Sequence, residues 1–246
     1  IDIPLDLKKL TKAKVNLYIK RSFQAGLSLL KKKKSLALIN GPISKSNFLK
    51  GKYFGITEYL AEKTKSSSKV MIIFNEKLSV SPVTTHVQIN DVTRKIDKRK
   101  IINNVTNINN FYKKFLGYKP NIAVTGLNPH CETFRGKDIE KTEILPAIKI
   151  LRKKKIKAFG PFSADTIFLE DNRKKFNVIV GMYHDQVLGP MKTIFGFNAI
   201  NITIGLPFLR ISPDHGPNYK MFGLNKSNPD SLIQAFKFVN RYAVKT

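Results

Sequence analysis

The 246-residue sequence has a single cysteine, Cys131, which excludes an intramolecular disulfide framework and fits a reducing compartment. No apolar run approaches the roughly 20 residues needed to cross a bilayer. The opening IDIPLDLKKL lacks the signal-peptide order of basic, apolar and small residues. There is no internal repeat, no low-complexity linker and no clean composition break to mark a domain boundary. Nor is there a GxGxxG, so a Rossmann-type nucleotide site is not expected, and Lys45 after Gly41-Pro42 lacks the Walker spacing of a phosphate loop. With 42% hydrophobic residues the chain can bury one sizeable core or two small ones. These features lead to the expectation of a soluble, cytoplasmic, globular protein of one or two lobes.

Acidic residues are scarce, 17 against 44 Lys and Arg, giving a formal charge of +27. Such a balance can serve phosphate neutralisation on nucleic acid. The basic runs Lys31 to Lys34, Lys98 to Lys100 and Arg152 to Lys155 nevertheless fall at or near the ends of helical patterns, where solvated cations are cheap and suit a helix carboxyl end. They show neither interleaved aromatics nor a nucleic-acid motif, so a solvated surface that favours anionic small molecules is the better reading.

Apolar residues recur at helical spacing from Ala13 to Leu30. Short apolar runs at Leu36 to Ile39, Val70 to Phe74, Ile122 to Thr125, Val178 to Met182 and Ile200 to Ile204 read as buried strands. Helical patterns lie between them near Thr57 to Lys65, Asp97 to Phe115 and Ile139 to Leu151, with a last one from Pro229 to Val244. This alternation argues for an α/β protein on a largely parallel sheet. Because the chain begins at Ile1 and its first element is already a long helix, a preceding segment is expected to be missing.

In open α/β sheets ligands bind beyond the carboxyl ends of strands. Three of the four histidines lie there: His86 after Val83-Thr84-Thr85, His130 at the end of Gly126-Leu127-Asn128-Pro129-His130, and His184 directly after Val178 to Tyr183. A lone histidine is more often a hydrogen-bonded structural residue than a ligand. Three at matching strand ends suit a zinc- or cobalt-like ion, although such separation is a weaker signal than HExxH or CxxC.

Whole words then point to a family. Gly41-Pro42-Ile43-Ser44-Lys45, Gly55-Ile56-Thr57-Glu58-Tyr59-Leu60, Thr84-Thr85-His86-Val87 and Gly126-Leu127-Asn128-Pro129-His130 occur in order. They are followed by Gly160-Pro161-Phe162-Ser163-Ala164-Asp165-Thr166, Met182-Tyr183-His184-Asp185-Gln186, Asn201-Ile202-Thr203-Ile204-Gly205-Leu206-Pro207-Phe208 and Asp214-His215-Gly216. From about residue 36 to its end the chain resembles the 4-hydroxythreonine-4-phosphate dehydrogenase family.

The resemblance implies a two-lobed fold like that of isocitrate and isopropylmalate dehydrogenases, with the amino-terminal part of the first lobe missing. Residues 1–50 would be the remainder of that lobe, 51–220 the metal- and substrate-binding lobe, and 221–246 a carboxyl-terminal helix returning to the first. It implies one divalent ion (Zn, Mg or Co) on His86, His130 and His184. Substrate would be held by Thr57, Lys192, Asn201 and Arg210, with Lys192, Asp165 and Asp185 catalytic and His215 on the side of NAD or NADP. The partners implied are a small phosphorylated substrate and a second copy of the chain, with the active site at the interface of a homodimer. Nucleic acid and membrane are not expected as partners.

The implied chemistry is that a metal-held hydroxyl would lose its proton, the carbon bearing it would pass hydride to nicotinamide, and the resulting β-keto acid would lose carbon dioxide. Asp165 and Asp185 could orient a ligating histidine or approach the metal from a second subunit, while Asp165 reads equally well as a helix N-cap. His215 is equally plausible as a structural residue. Two departures from the family pattern are visible: Ile56 stands where histidine is common, and Cys131-Glu132-Thr133-Phe134-Arg135 replaces a glycine-rich stretch. A sister dehydrogenase of D-threonate or erythronate 4-phosphate, an inactive truncated member, and a basic nucleic-acid-binding protein are the alternatives.

Overall fold

The computed structural model describes residues 11–49, 51–53, 55–133, 136, 138–221 and 223–244, and the side chains of Lys45 and Ser46 also lie outside that description. Phe134, Arg135 and the Lys45 side chain therefore take no part below. The strands are β1 (Ala37–Ile39), β2 (Val70–Phe74), β3 (Ser79–Thr84), β4 (Ile122–Thr125), β5 (Ala158–Phe162), β6 (Val178–Tyr183), β7 (Ile200–Ile204) and β8 (Leu209–Pro213). The helices are α1 (Lys12–Lys31), α2 (Lys45–Phe48), α3 (Ile56–Lys63), α4 (Ile89–Lys95), α5 (Lys98–Phe111), α6 (Leu145–Lys153), α7 (Glu170–Arg173), α8 (His184–Phe195) and α9 (Asp230–Phe238). Among the described residues no helix is long and apolar enough to cross a membrane.

All eight strands join one sheet in the order β1-β8-β7-β2-β3-β6-β4-β5. Strands β3, β6, β4 and β5 run parallel, whereas β2 is antiparallel to both β3 and β7, and β7 is antiparallel to β8. The sheet is thus mixed rather than largely parallel, as the sequence had suggested. The reason is connection length: Asn75 to Leu78 and Gly205 to Phe208 are too short for the crossover that a parallel pair needs.

Period-two alternation buries both faces. On one face Val70, Ile72, Phe74, Val178, Val180, Met182 and Ile202 pack with Ile101, Val105 and Ile108 of α5 and Leu151 of α6. On the other, Ile73, Val80 and Ile179 meet Val187 and Met191 of α8. Continuous Val/Ile runs such as Val178 to Val180 are what a strand covered on both faces requires. Asp97 opens α5 by accepting from the Lys100 amide at 2.8 Å, and the helical stretch closes, after a π-helical turn, at Gly117 in the left-handed region (φ 82°).

The β7–β8 turn begins at Gly205, whose φ is +87° and where a Cβ would lie 1.6 Å from the Ser68 carbonyl oxygen. Gly117 has a similar φ of +82° with nothing within 4 Å. Gly205→Ala is therefore expected to cost more than about 3 kcal/mol, and Gly117→Ala only about 1–2 kcal/mol. Urea unfolding of the two variants reads the difference, and equal losses would show that backbone crowding at Gly205 relaxes away.

Candidate functional site

A cavity of about 620 Å³ opens between α3, α8 and the β7–β8 strands. The β1–α2 loop and the segment after β8 complete its wall. A slightly larger cleft, about 720 Å³, lies beside α9 and contains the Arg241–Glu76 ion pair but none of the histidines. Only the first gathers the residues singled out from sequence. It is lined by Thr57, His86, His184, Lys192, Asn201, Arg210 and His215.

Three adjacent parallel strands explain the histidines. In the sheet order β3-β6-β4, His86 follows β3, His184 follows β6 and His130 follows β4. The rings of His86 and His184 have centroids 6.1 Å apart. Two imidazoles sharing one tetrahedral ion at about 2.0–2.1 Å from each nitrogen would place ring centres roughly 5 Å apart, so this pair fits a shared ion after a small side-chain movement. His130 is exposed on the short 3₁₀ turn Pro129–Cys131 and does not line the cavity. Among the described residues of a single chain no three His, Cys, Asp or Glu side chains converge on a metal position.

Helix α8 presents His184, Leu188 and Lys192 on one face, at i, i+4 and i+8, all against the cavity. Asp185 points away, 86% exposed, with its carboxylate 2.8 Å from His184 Nδ1. If Nδ1 carries the proton and donates to that carboxylate, Nε2 is left as the acceptor or ligand nitrogen. Asp165 is exposed in the turns after β5 and outside the cavity. The N-cap reading of Asp165 does not hold, because α7 begins only at Glu170 with Leu169 at its cap. Gln186 ties two of the sequence words together: its Nε2 donates to the Gly126 carbonyl at 2.8 Å, and its Oε1 accepts from Thr125 Oγ1 at 3.0 Å.

The cations are held differently. Arg210 is 4% exposed. Its Nε donates to Asn40 Oδ1 at 2.8 Å and Nη1 to Thr203 Oγ1 at 3.1 Å. Burial pushes its pKa down to about 10, against the opposing influence of Glu58, so it remains a cation at neutral pH. Lys192 donates to the Asp214 carbonyl oxygen and places Nζ 2.6 Å from Asp214 Oδ2, an ion pair. Burial raises the Asp214 carboxyl above its ordinary value even though Lys192 opposes the shift. Asn201 Oδ1 is buried with no hydrogen-bond partner among the described residues, an acceptor left open at the cavity wall. Thr57 sits in the first turn of α3, with Oγ1 3.3 Å from Thr203 Oγ1, and the neighbouring Ile56 is buried.

Sequence reading missed Asn40 and Thr203 as supports, although each lies in or beside a quoted word. It also missed Glu140, which lies in none. Glu140 is 2% exposed. Burial alone would raise its pKa, but hydrogen bonds from Asn128 and the Leu127 amide outweigh burial and hold it below the ordinary carboxylate range.

Fold and cleft together define an α/β protein whose cleft at the strand ends is lined by an imidazole pair and two cations. The chain belongs to the PdxA family, described as pyridoxal phosphate biosynthetic protein PdxA, whose model matches residues 1–239. It is 44% identical over 207 residues to a 4-hydroxythreonine-4-phosphate dehydrogenase of Sulfurihydrogenibium sp. (strain YO3AOP1), covering 82% of this chain and 64% of that protein. A second, from Bradyrhizobium diazoefficiens, is 40% identical over 219 residues, covering 84% and 62%. The chain thus spans a little under two thirds of the length of these relatives. The crystal structure of a Klebsiella pneumoniae 4-hydroxythreonine-4-phosphate dehydrogenase superposes with a TM-score of 0.83 at 30% identity, covering 99% of this chain and 77% of that one.

Lys192 and Asp214 should be energetically coupled, since removing either leaves the other half-buried charge unpaired. In a double-mutant cycle of Lys192→Met and Asp214→Asn, the interaction energy is expected on the order of 1–2 kcal/mol. Additive losses in urea unfolding would reduce their contact to a surface accident.

Proposed function

We propose that this chain forms part of an NAD-dependent (or NADP-dependent), divalent-metal-dependent 4-hydroxythreonine-4-phosphate dehydrogenase. Its reaction would oxidise and decarboxylate 4-phosphohydroxy-L-threonine to 3-amino-2-oxopropyl phosphate in pyridoxal phosphate biosynthesis. The observation that carries the reading is the convergence of His86, His184, Lys192, Asn201 and Arg210 on one cavity in a chain whose relatives bear that name.

His86 and His184 would hold one Zn, Mg or Co ion, with His130 delivered by a second copy in a homodimer. When bound, the ion supplies Lewis acidity that lowers a hydroxyl pKa, and nicotinamide supplies the hydride acceptor. Arg210 and Lys192 hold the phosphate and carboxylate of the substrate, the guanidinium kept rigid by Asn40 and Thr203. Asn201 Oδ1 accepts a substrate hydrogen, and Thr57 offers a hydroxyl from the first turn of α3. Lys192 Nζ, which sits beside Asp214, would return a proton to the carbon left after decarboxylation. Asp185 orients His184, and Asp165 would act across the dimer. His215, with its ring edge-on to Phe197 at 6.0 Å, forms the cofactor side. On this reading the enzyme works in the cytoplasm.

The test is NADH formation from 4-phosphohydroxy-L-threonine, on this chain and on a version extended to the length of its relatives. Turnover should vanish with a chelator and return with a divalent ion. Arg210→Ala is expected to raise KM about ten- to a hundredfold, the loss of one charge-assisted contact. Turnover of D-threonate 4-phosphate but not of the amino acid would overturn the substrate assignment. Steeply salt-dependent binding of nucleic acid, indifferent to the histidines, would overturn the class.

A further inference from the structure

We infer that Glu140 is the positioning residue for His130, stapling the loop that presents this imidazole; the inference rests on the proposed role of His130 as a metal ligand. His130 and Cys131 are consecutive non-glycine residues with φ of 55° and 60°, a left-handed pair that L residues avoid unless neighbouring structure imposes it. The turn closes on itself through the Cys131 amide donating to the Asn128 carbonyl at 3.1 Å, and the Glu140 carboxylate holds the residues that flank it. Oε1 accepts from the Leu127 amide at 2.9 Å, the Asn128 amide at 2.8 Å and Asn128 Nδ2 at 3.3 Å. Oε2 accepts from Asn128 Nδ2 at 3.1 Å and from Thr133 Oγ1 at 3.1 Å.

One carboxylate therefore pins the chain on both sides of the left-handed pair, at Asn128 before it and Thr133 after it. Asn128 Nδ2 also donates to Thr133 Oγ1 at 2.9 Å, closing the ring of contacts. Glu140 is 2% exposed and, among the described residues, lines none of the five cavities. Its hydrogen-bonding capacity is spent on the loop. Gln186 fixes where the loop starts, through the Gly126 carbonyl, and Glu140 fixes where its tip points. Glutamine at 140 would keep the size but turn one acceptor into a donor facing Asn128 Nδ2, breaking the staple on one side.

The experiment is a cobalt(II) titration of the apo protein, followed by the visible absorption of the bound ion, with the oligomeric state of each variant checked by sedimentation. Glu140→Gln should weaken cobalt by ten- to a hundredfold, about what losing an outer partner of a ligand costs, and its spectrum should shift to match that of His130→Ala. Thr133→Val, which leaves the amide bonds to Glu140 intact, should move the same way by less, and it decides the question if Glu140→Gln does not fold. Wild-type affinity and spectrum in Glu140→Gln, or in Thr133→Val when it must stand alone, overturn the inference provided His130→Ala is impaired. If His130→Ala itself binds cobalt like the wild type, the role of His130 as a ligand fails, and the inference with it.

Discussion

The register between β3 and β6 decides whether there is a site at all. In that parallel ladder Thr84 lies opposite Tyr183, and Thr84 Oγ1 reaches across to donate to the Met182 carbonyl at 2.7 Å in a buried position. His86 follows one partner by two residues and His184 follows the other by one, so this alignment brings their rings to 6.1 Å. A slip of one residue would turn Val80 and its neighbours to the opposite face of the sheet. Val80 is wholly buried against the α8 side of the core and Val180 on the α5 side. Burial of the two faces thus holds the spacing of the two imidazoles, and the polar residues of the cleft inherit it.

Much of this was legible in the sequence because the strands that matter are short, uninterrupted Val/Ile runs. Val70–Phe74, Ile122–Thr125 and Ile200–Ile204 fall where the apolar runs lie. Strand β3 was read only at its end, Val83-Thr84-Thr85, and β5 and β8 were not read; the three carry Pro82, Gly160-Pro161 and Pro213 and lack a continuous apolar signal. Helix α8 also went unread. It opens on the polar His184-Asp185-Gln186 and contains Gly189 and Pro190, residues that normally argue against a helix interior. That helix is what puts Lys192 two turns beyond His184 on the same face, so its spacing carried a message that its composition hid. The hairpin geometry was lost for a similar reason, since Gly205 marks a turn but its contact with Ser68 depends on a distant segment.

Electrostatics divides the molecule in two. The net charge of +27 is mostly solvated, as at Lys31 in the last turn of α1 and Lys153 in that of α6. Inside the cleft the positive charge is structured instead. Arg210 is buried and doubly hydrogen-bonded, and Lys192 is held by Asp214. Fixed cations in a partly desolvated cleft attract an anion more strongly, and orient it more narrowly, than the mobile lysines outside. Sequence could name both cations through the family words, but it could not tell which was surface and which was core.

The central claim is that the histidine pair of one chain is completed by His130 of another. Mixing His86→Ala with His130→Ala, unfolding and refolding the two together, and measuring bound cobalt tests it directly. Each variant alone should be impaired. Mixed dimers should regain binding, because one of their two sites again holds His86, His184 and the partner's His130. A mixture no better than its components would contradict a site shared between chains.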